Sequence, residues 1–416
     1  MTPFGYTILG FGSGGSPPVP IAEDLSFSEE QIAASQARNF YMKIDPFNAN
    51  KCLFAWMDSG NNMVIAAATF DDDGTNFSLG TEVEIGSIYA QSPCITFDPN
   101  TENSVVVTWQ DYHASGGVPA RIYHAAVACT LSGTTITAGT TTNISTVEAK
   151  DYISDTKCIF NPNRAGQCVV IEMNYDNKDT NVEGALEAQS LTISGTGITQ
   201  NSMYEISDNG GSGRIYSIGM CWDGDTTSDR FYATYYAGDH NFIAACSIAA
   251  DNTITIEDVD QHNTSAGRWP QSGAAGDPNT GGRVVVVYNK ADQTDVYVKV
   301  GNYSGGSWTW GTEVIVQDLA WAVFTFPVKV KMDVNTPDKV LIVMSSEETS
   351  RKYCAVVGTL SSTDTITLGT EEVVYDYKVG IRDLAQDPHR HGRFWAAVTG
   401  ASEYPWVIGH QVASFE

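Results

Sequence analysis

One phrase recurs seven times along the 416 residues and constrains the fold more than any other feature. It consists of a short apolar strand, an Asp-Pro-Asn-like turn, a β-branched strand, a third strand, and a segment of the type ITxGTEEV. Clear copies are ITFDPNTENSVVVTW, CIFNPNRAGQCVVIEM, GDPNTGGRVVVVYNK, MDVNTPDKVLIVMSS and AQDPHRHGRFWAAV; KIDPFNANKCLFAW and CWDGDTTSDRFYATYY are more diverged. The turns fall at Asp45, Asp98, Asn161, Asp223, Asp277, Asp333 and Asp387, so successive positions differ by 53, 63, 62, 54, 56 and 54 residues. Asp or Asn before Pro is turn chemistry, because the side chain bonds nearby backbone while Pro presets φ. Each turn therefore joins the first strand of a unit to its second.

A third strand of the type DVYVKVGNY and a fourth of the type FSLGTEVEI, WTWGTEVIV or ITLGTEEVV complete each unit. Four short antiparallel strands repeated seven times, with little helical periodicity, predict an all-β, seven-bladed β-propeller of four-stranded antiparallel blades. A solenoid is the rival arrangement, but its coils are usually shorter. The seventh unit stops at Glu416 after WVIGHQV, without a fourth strand, and the segment LSFSEEQIAA at 25–34 aligns with FSLGTEVEIG. The N-terminal segment is thus expected to complete the last blade and cover its open edge. The domain division that follows is an arm at 1–20 and a propeller at 21–416.

The arm, MTPFGYTILGFGSGGSPPVP, has no Lys or Arg, and Gly5, Thr7 and Gly10 break its apolar stretch, which argues against a secretion signal. No run of about 18 apolar residues occurs anywhere, so no membrane insertion is expected. With Pro17, Pro18 and Pro20 as a stiff spacer, Phe4, Tyr6, Ile8, Leu9 and Phe11 are read as groups that dock into a partner, against the alternative of a frayed tail. Lys and Arg total 23 against 49 Asp and Glu, a formal charge of −26, which makes nucleic acid an unfavourable partner. The eight cysteines form no CxxC or CxxH pair and read as small buried hydrophobes of a protein folded in a reducing cytosol.

The phrase FDPNTENSVVVTWQD followed by ITAGT resembles the repeats of tail-fibre and appendage propellers in virions of tailed bacteriophages, and the leader MTPFGYTILGFGSG is similar to those of marine phage structural proteins. That resemblance covers nearly the whole chain and carries no catalytic motif. It implies a non-enzymatic virion protein, folded and assembled in the host cytoplasm. Its expected partners are other tail or capsid proteins, reached through the arm, and a host surface glycan. The alternative is a carbohydrate-binding lectin or a sialidase-like glycosidase.

Propeller sites usually lie where loops enter the innermost strands. There Arg38, Arg214, Arg268 and Arg382 recur beside Tyr89, Tyr152, Tyr216 and Trp269, and convergent guanidinium groups could grip an anion while the aromatic rings stack on a sugar. The competing explanation is that each arginine bridges neighbouring blades. FDDDGTNF at 70–77 faintly resembles a sialidase Asp-box turn but lacks its expected ends. His389 and His391 straddle a turn and read as solvated rather than metal-binding, and Asp71, Asp72 and Asp73 lack calcium-loop spacing. No metal, cofactor or catalytic residue is assigned. Trp308 and Trp310 share one strand face, with packing against the next blade the simpler role for Trp310.

Overall fold

A computed structural model of the chain describes residues 25–32, 38–72, 76–86, 91–113, 121–145, 149–150, 156–176, 183–208, 215–225, 227–237, 240–262, 272–289, 295–318, 328–346, 352–375, 380–399 and 405–412. These residues form seven antiparallel sheets and contain no helix. The innermost strands of blades 1 to 7 are Arg38–Ile44, Gln91–Phe97, Thr156–Phe160, Tyr216–Trp222, Ser272–Gly276, Lys329–Met332 and Gly380–Gln386. Each packs beside the next, and that of blade 7 packs beside that of blade 1, so the ring is closed. The closing strand is Leu25–Gln31, which pairs with Pro405–Val412 from Leu25↔Val412 to Gln31↔Trp406. The segment at 25–34 was expected to complete the last blade, and its residues 25–31 do so.

The second strands are uninterrupted hydrophobic runs because both their faces are covered. Leu53 and Ala55 face blade 2, whereas Cys52, Phe54 and Trp56 face blade 7. Val105, Val107 and Trp109 turn toward blade 1 and Val106 toward blade 3. A sheet covered on one side only would show alternation instead. The core is accordingly seven hydrophobic layers, one in each seam between blades.

The outer strand of four blades departs from the single strand expected of ITxGTEEV. In blade 1 it is two pieces, Ser78–Leu79 and Val83–Gly86, both paired with Met63–Thr69. Blades 5 and 6 break their outer strands in the same way, and blade 2 breaks its outer strand into three pieces. The break falls at Gly80, whose N–H still donates to Ala67 O (2.8 Å) and whose Cβ, were there one, would lie 2.5 Å from the carbonyl of Thr134 in blade 2. The glycine of the repeat thus lets the neighbouring outer hairpin pack over the strand.

The turn residues have a second role that the repeat alone did not reveal. All seven side chains are buried, and in each one Oδ1 accepts the backbone N–H two residues on, at 2.8–3.2 Å. The same side chain also reaches toward the residue that precedes the second strand of the next blade. Where that residue is glycine, its N–H donates straight to the turn carboxylate: Gly166 to Asp98 (2.7 Å), Gly282 to Asp223 (2.7 Å) and Gly392 to Asp333 (2.6 Å). Where it carries an oxygen, a cation bridges the two. Lys51 links Asp45 to Asn103, Arg283 links Asp277 to Asp338, and Arg390 links Asp387 to Asn50.

In the remaining seam the partner is Asp229, and the turn residue is Asn161, whose Nδ2 donates to Asp229 Oδ1 at 3.0 Å. A carboxylate there would oppose a carboxylate without the cation that Arg283 supplies between Asp277 and Asp338, because the equivalent strand position is Gln167, and Asn fits that seam where Asp would not.

Candidate functional site

Counting back from the turn residue brings the axial side chains into register. Two residues before it stand Lys43, Thr96, Ile159, Cys221, Ala275, Lys331 and Ala385; four before it stand Tyr41, Cys94, Lys157, Gly219, Gly273, Lys329 and Asp383. Strand periodicity of two turns both sets the same way, and nearly all of these residues line two contiguous axial cavities. In blades 1, 2, 4 and 7 a β-bulge lies immediately before the deeper position, at Tyr41, Cys94, Gly219 and Asp383. Bulges of this kind re-aim side chains.

The larger cavity, about 440 Å³, is a vestibule at the end of the ring formed by the turns. Its rim carries the residue that follows each turn Asp or Asn: Pro46, Pro99, Pro162, Gly224, Pro278, Val334 and Pro388. Below the rim the wall is Phe97, Phe160, Met220, Trp222 and Met332, and Lys43 and Lys331 stand at its floor, where the second cavity of about 90 Å³ begins. Pro pins its own backbone, so five of the seven rim positions are rigid before any ligand arrives.

The channel is cationic inside an acidic protein. Lys43, Lys157, Lys329 and Lys331 line it against Asp383, whose Oδ1 accepts the N–H of Leu384 at 2.9 Å. Asp223 also borders the vestibule, but its carboxylate is occupied by Arg230 (3.0 Å), Tyr232 Oη (3.1 Å) and the Gly282 N–H. Burial, followed by the charge of Lys43, lowers Lys331 to a pKa of about 8, with the charge of Asp383 acting in the opposite direction. Cys94 Sγ, on the deeper rung, accepts the N–H of Cys158 at 3.4 Å. Its thiol is held below the ordinary value by hydrogen bonding to Cys158 and by the charge of Lys157, whereas burial pushes Cys158 up. Burial likewise raises Cys221 to about 12, so it presents a neutral thiol.

Six cysteines are buried as expected, but Cys94 and Cys221 are half-buried and face the axis. Of the residues expected at the opposite, loop-entry end of the ring, Arg38 is exposed and Arg382 donates from Nε to Thr399 Oγ1 at 3.3 Å. Tyr216 is described by its backbone alone, in the first strand of blade 4. Tyr89, Tyr152, Arg214, Arg268 and Trp269 lie outside the described residues, as do the arm residues Phe4, Tyr6, Ile8, Leu9 and Phe11. The axial lysines were missed. Their signal was a lysine at a fixed distance before the turn in strands that are otherwise apolar, as in MKIDP, TKCIFNP and VKVKMD.

Other polar candidates are engaged elsewhere. His389 Nε2 meets the carbonyl of Asp45 (2.9 Å) and His391 Nδ1 meets Thr336 Oγ1 (3.1 Å), so the two rings serve opposite seams. Asp72 pairs with Arg390 across the closing seam at 2.8 Å. Trp310 donates from Nε1 to Asp260 of blade 4 at 2.6 Å and stacks on Trp308 with centroids 5.3 Å apart, as packing against a neighbouring blade requires. Among the described residues no three His, Cys, Asp or Glu side chains group as metal ligands.

No protein-family model and no curated protein matches the sequence. Solved structures share the fold at low identity. The BP39L lectin of Burkholderia pseudomallei is 10% identical with a TM-score of 0.57, over 90% of this chain and 96% of that one. A K499G mutant of the NanB sialidase of Streptococcus pneumoniae is 11% identical with a TM-score of 0.54, over 93% and 71%. A putative 6-phosphogluconolactonase of Bacteroides uniformis is 11% identical with a TM-score of 0.52, over 88% and 91%. At such identities these similarities describe the propeller and nothing finer.

Proposed function

We propose that this chain is a non-enzymatic binding propeller that recognises a carbohydrate at its axial vestibule, working as an adhesion or assembly component of a phage virion. The observation that carries the reading is the vestibule itself, a preformed cavity of about 440 Å³ with a proline rim and an aromatic wall that includes Trp222. That volume suits a ligand of one or two sugar rings, and rigid apolar surfaces with a few polar groups are how small-molecule sites gain affinity. The same scaffold serves a lectin in one structural neighbour and a sialidase in another, so carbohydrate is a ligand class with precedent on this fold.

Glycoside hydrolysis usually needs two carboxyl groups free to act on one bond, with a tyrosine nucleophile replacing one of them in sialidases. The turn carboxylates at the vestibule rim instead spend their oxygens on backbone N–H groups and on the seams. The virion setting rests on the repeat resemblance, and residues 1–20 are its proposed partner contact.

A glycan array probed with the full chain, followed by hydrolysis assays on each bound glycan, tests this reading. Binding without turnover is the expected result. An array with no bound glycan overturns the carbohydrate reading, and turnover overturns the non-enzymatic one. Mass spectrometry of purified particles from the source phage tests the virion role, which fails if the chain is absent.

A further inference from the structure

Two lysines from different blades share one rung at the vestibule floor: Lys43 of blade 1 and Lys331 of blade 6 both stand two residues before their turn Asp. Neither makes an ion pair with any described residue, although the chain has 49 acidic residues against 23 basic ones. The seams show the contrast, because there Lys51, Arg283 and Arg390 are each matched with carboxylate or amide oxygen. At the lysine rung the remaining positions are Thr96, Ile159, Cys221, Ala275 and Ala385, none of which supplies a negative charge.

Two like charges lining one cavity repel one another, and Lys331 is held below the ordinary lysine value first by burial and then by the charge of Lys43. An anion placed between them removes the repulsion and forms two charge-assisted hydrogen bonds. Above the rung the wall turns apolar and aromatic, so the body of the ligand needs no charge of its own.

We infer that the vestibule binds a small organic anion, its carboxylate or phosphate held between the Lys43 and Lys331 ammonium groups and its uncharged body against the proline rim and Trp222. The inference rests on the carbohydrate reading for the ligand's body, which makes an acidic sugar the expected class. The lysine pair alone argues for the anionic group.

Calorimetric titration of the full chain at low ionic strength, with D-glucuronate, D-glucose and inorganic phosphate as probes, separates the two claims. Glucuronate is expected to bind at least about tenfold more tightly than glucose. Lys43→Gln and Lys331→Gln are each expected to weaken glucuronate by about tenfold, with melting temperatures equal to or above that of the native chain, since each removes a repelled charge. Phosphate binding without binding of either sugar keeps the anion site and overturns the carbohydrate reading. Glucose binding as tightly as glucuronate does the reverse. A Lys43→Gln/Lys331→Gln double variant that is folded and retains native affinity for glucuronate or phosphate overturns the inference outright.

Discussion

Replacing Asn161 by Asp tests whether the seams are matched residue by residue. Asn161 is fully buried, and its Nδ2 donates to Gln167 Oε1 at 2.6 Å and to Asp229 Oδ1 at 3.0 Å. The substitution changes one atom, keeps the shape, removes both donors and sets a carboxylate oxygen about 3 Å from another. At an effective dielectric near 20 that repulsion is about 5 kcal/mol. Arg164 already holds Asp229, with Nε 3.1 Å from Oδ2, and softens the contact; protonation of the new acid limits it further. A net loss of about 3 kcal/mol follows.

With an unfolding entropy of about 2.1 cal/mol/K per residue, that loss lowers the melting temperature of a chain this long by about 3 to 4 °C, measurable by scanning calorimetry at pH 7.5. The introduced carboxyl has a folded pKa raised above its unfolded value. Its cost is therefore complete above the folded pKa and disappears as pH falls toward about 4. Adding Asp229→Asn reverses the donor and acceptor and should recover most of the loss. A variant that melts with the native protein at pH 7.5, or a deficit that survives Asp229→Asn, refutes the matching rule.

Other seams and groups give sharper contrasts. Gly166→Ala puts a Cβ 2.5 Å from Ile193 O at φ +72° and should cost about 2 kcal/mol or more, read from denaturant midpoints. Deleting residues 2–32 removes the strand paired with Pro405–Val412 and should cause aggregation on heating, whereas deleting 2–18 should leave the melting temperature nearly unchanged. Burial lowers His262 to a pKa of about 3, and neither ring nitrogen has a hydrogen-bond partner among the described residues. Its stability contribution is complete above about pH 6.5 and falls by up to about 1.4 kcal/mol per unit as pH drops toward 3, so His262→Phe should flatten the acid limb of the stability curve. Lys331, with a folded pKa of about 8 against 10.5, destabilises the fold below pH 8, and the penalty lifts as pH rises from 8 to 10.5. Lys331→Met should stabilise the protein at pH 7 by up to about 3 kcal/mol, less whatever water in the channel screens, and should remove that alkaline rise.

Blade number, strand order and closure were legible in the sequence because they rest on local chemistry repeated seven times. Turn residues, β-branched runs and the displaced LSFSEEQ strand report on their own backbone, whereas the register Leu25↔Val412 came from the structure. The site was not legible in the same way. Loop arginines and aromatics drew attention at the entry end of the ring, while the vestibule with its lysine rung lies at the turn end. Lys43 and Lys331 are 288 positions apart along the chain, and only closure of the ring brings them to one level of the axis. The pairing of Asp98 with Gly166, or Asn161 with Asp229, likewise lies between repeats rather than within one. A local pattern determines strands and turns because its interactions span a few residues. Which charges share a channel, and which carboxylate meets which N–H, is decided by long-range packing and appears only in three dimensions.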